Sequence, residues 1–155
     1  MNILAIDPGT TQSAWVVYDG ERPVRFGLEP NEAVLSMLRG ADVDRLALEM
    51  VASYGMPVGR EVFETVLWSG RFLEAAGVPE TLVYRKDVKL HLCHSMRAKD
   101  ANIRQALIDR FGGNKRAAVG VKAAPGPLYG FRKDLWAALG VAVTWWDTKR
   151  ESDDG

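Results

Sequence analysis

Three carboxylates lie in otherwise apolar stretches of this sequence. Asp7 follows the apolar residues 3–6, Glu49 follows 46–48, and Asp134 begins the apolar stretch 135–146. Ionised carboxylates are almost never buried unless they are paired or bind a metal. The three acids therefore predict a site for a hard cation such as Mg²⁺, which keeps several waters and needs few protein ligands. Two such ions, about 4 Å apart, activate water and stabilise the leaving oxygen of a phosphodiester.

Each acid also has a purely structural explanation. Asp7 precedes the Pro8-Gly9 turn, and Asp commonly caps such turns. Glu49 would face solvent if its strand lay at the edge of a sheet. Asp134, at the start of a helix, would interact favourably with the helix macrodipole. The metal hypothesis therefore depends on whether the fold brings the three side chains together.

Hydrophobic periodicity predicts the elements that would position these acids. Strands are predicted over 3–7, 12–18, 23–28, 45–51 and 81–84, and helices over 31–39, 58–76, 86–93, 99–111 and 131–146. Asn31 is expected to cap the first helix, and the Gly-rich segment 112–130 is expected to be a mobile loop. This order predicts an α/β domain over 1–147, with a five-stranded mixed sheet flanked by helices, and a polar tail over 148–155. The first and fourth strands, which carry Asp7 and Glu49, would be parallel neighbours.

The charge is unevenly distributed although the formal net charge is zero. Residues 1–84 hold six Lys and Arg against 12 Asp and Glu, whereas residues 85–133 hold 12 Lys and Arg against three Asp. A block with a net charge of +9 is typical of a phosphate-binding surface. The alternative is that these cations only solvate helix faces.

Other features exclude several classes of protein. No segment approaches the roughly 20 apolar residues of a membrane span, and no secretory signal pattern precedes the first strand. The single cysteine, Cys93, fits a reducing cytoplasm. His91, Cys93 and His94 lack the fourth ligand and the cysteine pair of a zinc site.

Residues 3–10, Ile-Leu-Ala-Ile-Asp-Pro-Gly-Thr, resemble the start of the RuvC-type Holliday-junction resolvases. The strand-borne acid in Ala47-Leu48-Glu49 and the Ala-rich helix that follows Asp134 are similar to that family too, and the last helix looks most like phage-encoded members. The resemblance implies an RNase H-like fold, a homodimer, Mg²⁺ or Mn²⁺ as cofactor, and paired nicks across a four-way DNA junction. It also implies a bacterial cytoplasm as the site of action.

The resemblance further suggests roles for individual residues. Asp7 would bridge two ions, with Glu49 and Asp134 each on one, and Lys99 would stabilise charge on the scissile phosphate. Asp100 is expected to act as a helix cap. Tyr54 and Met56 would stack at the junction centre or cover the edge of the core. The residues expected to hold the DNA backbone are Lys86, Lys89, Arg97, Lys99, Lys115, Arg116, Lys122, Arg132 and Lys133.

In one respect the chain departs from the family pattern. The family carries two metal ligands one turn apart on the last helix, whereas the neighbours of Asp134 at that spacing are Phe131 and Ala137. Two other functions therefore stay open. One is a YqgF-type nuclease that acts on RNA, which shares the Asp-Pro-Gly-Thr opening, and the other is a junction-binding protein without catalysis.

Overall fold

The computed structural model describes residues 1–151. Among them, no helix combines the length and the apolar character that a bilayer crossing requires. The elements, in chain order, are β1 (Ile3–Asp7), β2 (Gln12–Tyr18), β3 (Pro23–Pro30), α1 (Asn31–Arg39), β4 (Arg45–Met50), α2 (Arg60–Ala76), β5 (Glu80–Tyr84), α3 (Arg85–Cys93), α4 (Asp100–Phe111), α5 (Lys115–Ala118), β6 (Gly120–Val121), β7 (Ala124–Pro125) and α6 (Leu135–Thr148).

The five long strands form one mixed sheet in the order β3-β2-β1-β4-β5. β1, β2 and β3 are antiparallel neighbours, while β4 pairs in parallel with both β1 and β5. This confirms the predicted mixed sheet and the parallel pairing of the first and fourth strands. Since β4 has a neighbour on each side, Glu49 does not lie on an edge strand.

Side chains alternate between the two faces of the sheet and build two separate cores. Ile3 and Ala5 of β1 and Ala47 of β4 pack on one face against α3, α4 and α6. Leu4 and Ile6 pack on the opposite face against α1 and α2. By the same alternation, Asp7 and Glu49 continue the face that is covered by α3, α4 and α6.

Helix α6 is apolar nearly all round and crosses the centre of this face. Gly140 lets α3 approach closely, because a side chain at this position would meet Val88. Trp145 is fully buried and its indole nitrogen donates to the Thr81 hydroxyl. The helix begins at Leu135, four residues later than predicted, so Asp134 is its N-cap residue.

Asn31 does not cap α1 as predicted, because Pro30 occupies the N-cap position. The Asn31 side chain is buried instead, where it accepts a hydrogen bond from Ser13 Oγ at 2.6 Å and donates to the Gly9 carbonyl at 2.9 Å. It thus connects the start of α1 to the turn that follows Asp7.

The segment 112–130, predicted as a mobile loop, is structured. It forms α5 and a small antiparallel sheet of β6 and β7, and it buries Ala118 and Leu128 in the core. The prediction failed because glycine density was interpreted as flexibility. The predicted tail also begins inside α6, which extends to Thr148, and its residues 152–155 lie outside the described part of the chain.

Candidate active site

The site begins with two acids at the carboxyl ends of adjacent parallel strands. Ile6 of β1 pairs with Leu48 of β4, so Asp7 and Glu49 follow one step further along the same register. Both side chains point to the α6 face. Glu49 is only 8% exposed, which rules out the solvent-facing alternative. The structure therefore brings the first two predicted metal ligands together.

The turn after Asp7 is held by other residues. Gly9 donates its backbone N–H to Ser13 Oγ at 3.1 Å, and Ser13 is hydrogen-bonded to the buried Asn31. A side chain at position 9 would lie 2.3 Å from the Gln12 carbonyl oxygen, so the turn requires glycine here. Because Ser13 accepts the turn's N–H, turn capping does not account for the Asp7 carboxylate.

Burial dominates the electrostatics of the pair. Burial, and after it the nearby Glu49 and Asp134 carboxylates, raise the pKa of Asp7 well above its ordinary value. Burial also raises the pKa of Glu49, although the Arg85 guanidinium acts against it. The Asp7 and Glu49 carboxyls lie close enough for each to act on the pKa of the other, an arrangement that favours a shared proton or a cation between them.

Arg85 is the basic side chain nearest to the acid pair. Its guanidinium lies 3.5 Å from Glu49 Oε1 and also pairs with Asp100. Arg85 begins α3 directly after β5, whose end lies beside the end of β4. Asp100 was expected to cap α4, but Lys99 holds the N-cap position, and its backbone N–H donates to Asn102 Oδ1. Asp100 is instead a fourth carboxylate of the site.

Asp134 lies across from the acid pair at the start of α6. Its carboxylate makes no capping hydrogen bond, although it occupies the N-cap position. A cavity of about 110 Å³ is lined by all four acids together with two cations and apolar side chains. The lining residues that carry charge are Asp7, Glu49, Asp100, Asp134, Arg85 and Lys133.

The four carboxylates differ in how well they suit a metal. Within residues 1–151, no group of three His, Cys, Asp or Glu side chains is arranged to hold an ion. The closely placed donors are Asp7 and Glu49, whose oxygen chemistry and buried, mutually repelling charges fit Mg²⁺ or Mn²⁺. Two carboxylates suffice for an ion that retains water. Phe131 is buried and Ala137 lines the cavity, so neither supplies a second donor beside Asp134.

A second cleft, of about 190 Å³, opens next to the acids and shares Arg85 with them. Tyr54, Lys86, Lys89 and Met96 complete its lining. The fold thus brings three predicted DNA-contacting residues to one cleft. Tyr54 is mostly exposed and has a φ of +51°, a conformation that non-glycine residues seldom adopt. Such backbone conformations cluster at functional sites.

Apart from Lys133, the other residues that were predicted to contact DNA do not line these two cavities. Lys99 adjoins Asp100 but does not line the acid cavity, where Arg85 and Lys133 are the cations. Lys133 has a φ of +47°. Met56 is exposed in the loop between β4 and α2, and Arg97 is exposed just before α4. Further exposed cations are Lys115 and Arg116 on α5, Lys122 between β6 and β7, and Arg132 before α6.

Arg85 and Asp100 were not identified from the sequence as members of the site. The sequence did contain a signal for Arg85, because the residue after a parallel strand lies at the same sheet edge as the ends of its neighbours. Asp100 depends on how α4 packs, which no local pattern encodes. His91, once considered for zinc, lies 2.7 Å from Asp147 Oδ2 instead.

Comparison with known proteins supports the architecture. No family model and no curated protein sequence matches the chain. Two solved structures match at a TM-score of 0.72 with 20% identity and 0.70 with 21% identity: Thermus thermophilus RuvC, and the same protein in complex with a Holliday junction substrate. Each alignment covers 98% of this chain, with 97% and 96% of the RuvC chains. Over nearly its whole length, the chain has the RNase H-like fold of RuvC.

Proposed function

We propose that this protein is a divalent-metal-dependent endonuclease that cuts four-way and other branched DNA junctions. The observation that carries the proposal is the pair formed by half-buried Asp7 and buried Glu49 at the ends of two adjacent strands, with Asp134 lining the same cavity. Two carboxylates buried together are costly unless a cation joins them. The RuvC structure that matches along 98% of the chain was solved with a Holliday junction substrate, which supports the same substrate class here.

The proposal assigns metal binding and phosphate stabilisation to different residues of the cavity. Asp7 and Glu49 would hold the cation, and Asp134 would face it across the cavity. A bound Mg²⁺ or Mn²⁺ supplies Lewis-acid activation of water and neutralises charge on the phosphodiester. Arg85 and Lys133 line the same cavity and are placed to stabilise negative charge on the phosphate. Lys99, at the edge of the site, is proposed to assist them.

Arg85 has an additional role without metal. Its guanidinium pairs with both Glu49 and Asp100, so it partly neutralises the acids that a cation would otherwise neutralise. A cation held by Asp7 and Glu49 would take over this neutralisation, and Arg85 would then be able to pair with a phosphate oxygen. Arginine suits this exchange because its planar fork matches carboxylate and phosphate equally well.

The DNA would approach over the cleft that adjoins the acids. Lys86 and Lys89 contact backbone phosphates there, which positions a duplex without reading its sequence. Tyr54 lines the same cleft and presents an exposed ring for a base at the junction centre. Met56, 71% exposed in the same loop, supplies further apolar contact.

We also propose that two copies associate through α2. Phe63, Val66 and Leu67 are exposed on this helix at helical spacing. Val66 and Leu67 line a groove of about 700 Å³ between α2 and α1, whose lining is mostly apolar but includes the charged residues Arg39, Arg71 and Glu74. A contiguous exposed apolar patch marks an interaction surface. A second copy is the occupant that fits, because a cutter of a two-fold junction needs two active sites related by two-fold symmetry.

Junction cleavage tests the proposal. Wild-type protein should nick a synthetic four-way DNA junction with Mg²⁺ or Mn²⁺, and Asp7→Asn should reduce the rate by at least about 100-fold, the size of a lost electrostatic contact to the transition state. Asp42→Asn, an exposed acid of the same half of the chain, is the matched control. Added Mg²⁺ should raise the melting temperature of wild type and of the control but not that of Asp7→Asn.

The outcomes also separate the alternatives. Junction binding without cleavage by wild type would leave a non-catalytic binding protein. Faster cleavage of structured RNA than of junction DNA would favour a YqgF-type nuclease. Equal cleavage by Asp7→Asn and wild type would contradict the proposed active site.

A further inference from the structure

The most distinctive charged surface outside the acid cavity is the α5–β6–β7 module, residues 112–128. The chain has no acid between Asp109 and Asp134, and the module carries three exposed cations, Lys115, Arg116 and Lys122. Together with the small residues Gly120 and Ala124 and the exposed Val121, two of these cations, Lys115 and Arg116, line a groove of about 640 Å³. The lining of the groove therefore combines two cations with small or apolar residues.

The module is held rigidly in place. Asn114 Oδ1 accepts from the Ala117 backbone N–H at 2.9 Å and caps α5. Leu128 donates its backbone N–H to the Ala118 carbonyl at 2.8 Å, and both residues are fully buried. A side chain at Gly126 would lie 2.3 Å from the Ala118 carbonyl oxygen. The cations are therefore presented from a fixed support rather than from a flexible loop.

Helix α4 runs from the acid cavity to the start of the module. Asp100, at its first turn, lines the cavity, and near its last turn Gly113 donates to the Ile108 carbonyl. A helix of 12 residues is about 18 Å long at 1.5 Å per residue. Each nucleotide of a strand advances about 3.4 Å along the axis of a DNA duplex, so an arm that lies along α4 would pass about five nucleotides over this length.

We infer that the α5–β6–β7 module binds the phosphate backbone of one duplex arm about five nucleotides from the scissile phosphate. The inference rests on the proposed function for its reference point, the phosphate at Asp7 and Glu49. DNA is the occupant favoured by charge complementarity, because the module continues the cationic block that begins at Arg85 beside the acids. Exposed Arg104 on α4 lies between the two in the chain.

Binding of a four-way DNA junction, measured in the Asp7→Asn background so that the DNA stays intact, tests the inference. The triple variant Lys115→Ala/Arg116→Ala/Lys122→Ala should weaken binding by about 10- to 100-fold at moderate salt. It should also lower the slope of log affinity against log salt by about two to three, roughly one for each lost phosphate contact. The control is Arg22→Ala/Arg25→Ala, which removes two exposed cations from the acidic part of the chain outside α1 and α2.

Neutral methylphosphonate linkages locate the contact. Placed about five nucleotides from the cut that wild type makes, they should weaken binding by the protein with an intact module and leave the triple variant unaffected. Equal loss at every position, or a triple variant that binds like its control, would overturn the inference. Lys122→Glu alone, in an exposed turn, provides the same comparison if the triple variant does not fold.

The two proposals fail in different ways. If wild type binds junctions but does not cut them, the nuclease proposal fails. The affinity and salt slope of the triple variant still decide whether the module binds DNA. If cutting depends on Asp7 but the triple variant binds with unchanged affinity and slope, only the module's role is lost.

Discussion

At the scale of single residues, Asp7 and Glu49 are expected to lower the stability of the metal-free fold, a cost that their proposed role in metal binding would explain. Burial raises the pKa of both carboxyls, and the neighbouring carboxylate raises that of Asp7 further. Active sites commonly carry such unfavourable charge because a preorganised site needs it before its ligand arrives. The metal-free protein should therefore become more stable when one of the two charges is removed.

Asp7→Asn should raise the free energy of unfolding without metal by about 0.5–2 kcal/mol near neutral pH, the range of typical stabilising substitutions. The sign follows from the raised pKa. At a pH below the ordinary pKa of aspartate, Asp7 is protonated in both the folded and the unfolded chain, so it does not lower the free energy of unfolding. As pH rises toward the raised folded pKa, wild type loses stability relative to the variant.

Chemical denaturation across this pH range, in a chelator, measures the effect. Asp42→Asn should track wild type at every pH, since Asp42 is exposed. An Asp7→Asn variant no more stable than wild type at neutral pH would contradict the argument. Saturating Mg²⁺ should reverse the order, because the ion stabilises only the chain that binds it.

Asp7 and Glu49 could be identified as site residues from the sequence, because an ionised carboxylate in a buried strand is rare unless it is paired or binds a metal. Asp134 was predicted because it lies at the start of an otherwise apolar helix, and it lines the same cavity. Arg85 and Asp100 escaped prediction because both look ordinary in their local context, a basic residue and an acidic residue at helix starts. Only the packing of α3 and α4 beside β4 reveals that Arg85 pairs with both Asp100 and Glu49.

At the scale of elements, one polar cluster joins three helices of the α6 face. Asp147 of α6 accepts hydrogen bonds from Arg110 of α4 at 2.7 and 2.9 Å, and His91 of α3 lies at 2.7 Å. Burial acts to raise the pKa of Asp147, but Arg110 and His91 outweigh it, so the pKa is lowered. The cluster therefore stabilises the helix layer that carries Asp134 and Asp100.

Asp147→Asn should lower the free energy of unfolding at neutral pH by about 1 kcal/mol, a charged hydrogen-bonded pair discounted for partial solvent exposure. A lowered carboxyl pKa stabilises the fold above its ordinary value and loses this effect as pH falls through the folded pKa. The difference from wild type should thus disappear in acid. Asp109→Asn, an exposed acid of α4, is the control. A loss that persists unchanged at low pH would argue for a packing defect instead.

Sequence patterns predicted the regular elements well and the irregular ones poorly. The five strands of the main sheet and the helices α1 to α4 lie within a few residues of their predicted positions, because their periodicity reflects the face they bury. The regular structure of segment 112–128 was not predicted. It depends on close backbone contacts at glycines, which a pattern of side chains does not indicate. Asn31 was misassigned as a cap because its true partners, Ser13 and Gly9, are distant in sequence.

At the scale of the whole molecule, the sheet separates two different surfaces. The face with α3, α4 and α6 carries the acid cavity, and the +9 block lies in the segment that builds it. The opposite face, covered by α1 and α2, belongs to the acid-rich part of the chain and exposes the apolar side of α2. This arrangement is compatible with both proposals, DNA on the cationic face and a second copy on α2 at the opposite face.

Leu67→Glu should therefore convert a dimer into monomers. Leu67 is 66% exposed on the proposed interface, so the substitution costs the isolated fold little. In a two-fold interface each substitution occurs twice, and an unpaired buried charge opposes association strongly. We expect the dissociation constant to rise at least about 100-fold, which corresponds to about 2.7 kcal/mol.

Analytical ultracentrifugation of wild type and Leu67→Glu measures this change directly. Val24→Glu, which places the same charge on exposed apolar surface of β3, should stay dimeric. On a four-way junction, the Leu67→Glu monomer should leave single nicks where the dimer cuts both strands, because each active site is complete within one chain. A wild type that sediments as a monomer at micromolar concentration would contradict the α2 interface. Paired cuts by a monomeric Leu67→Glu would show that junction symmetry does not require a preformed dimer.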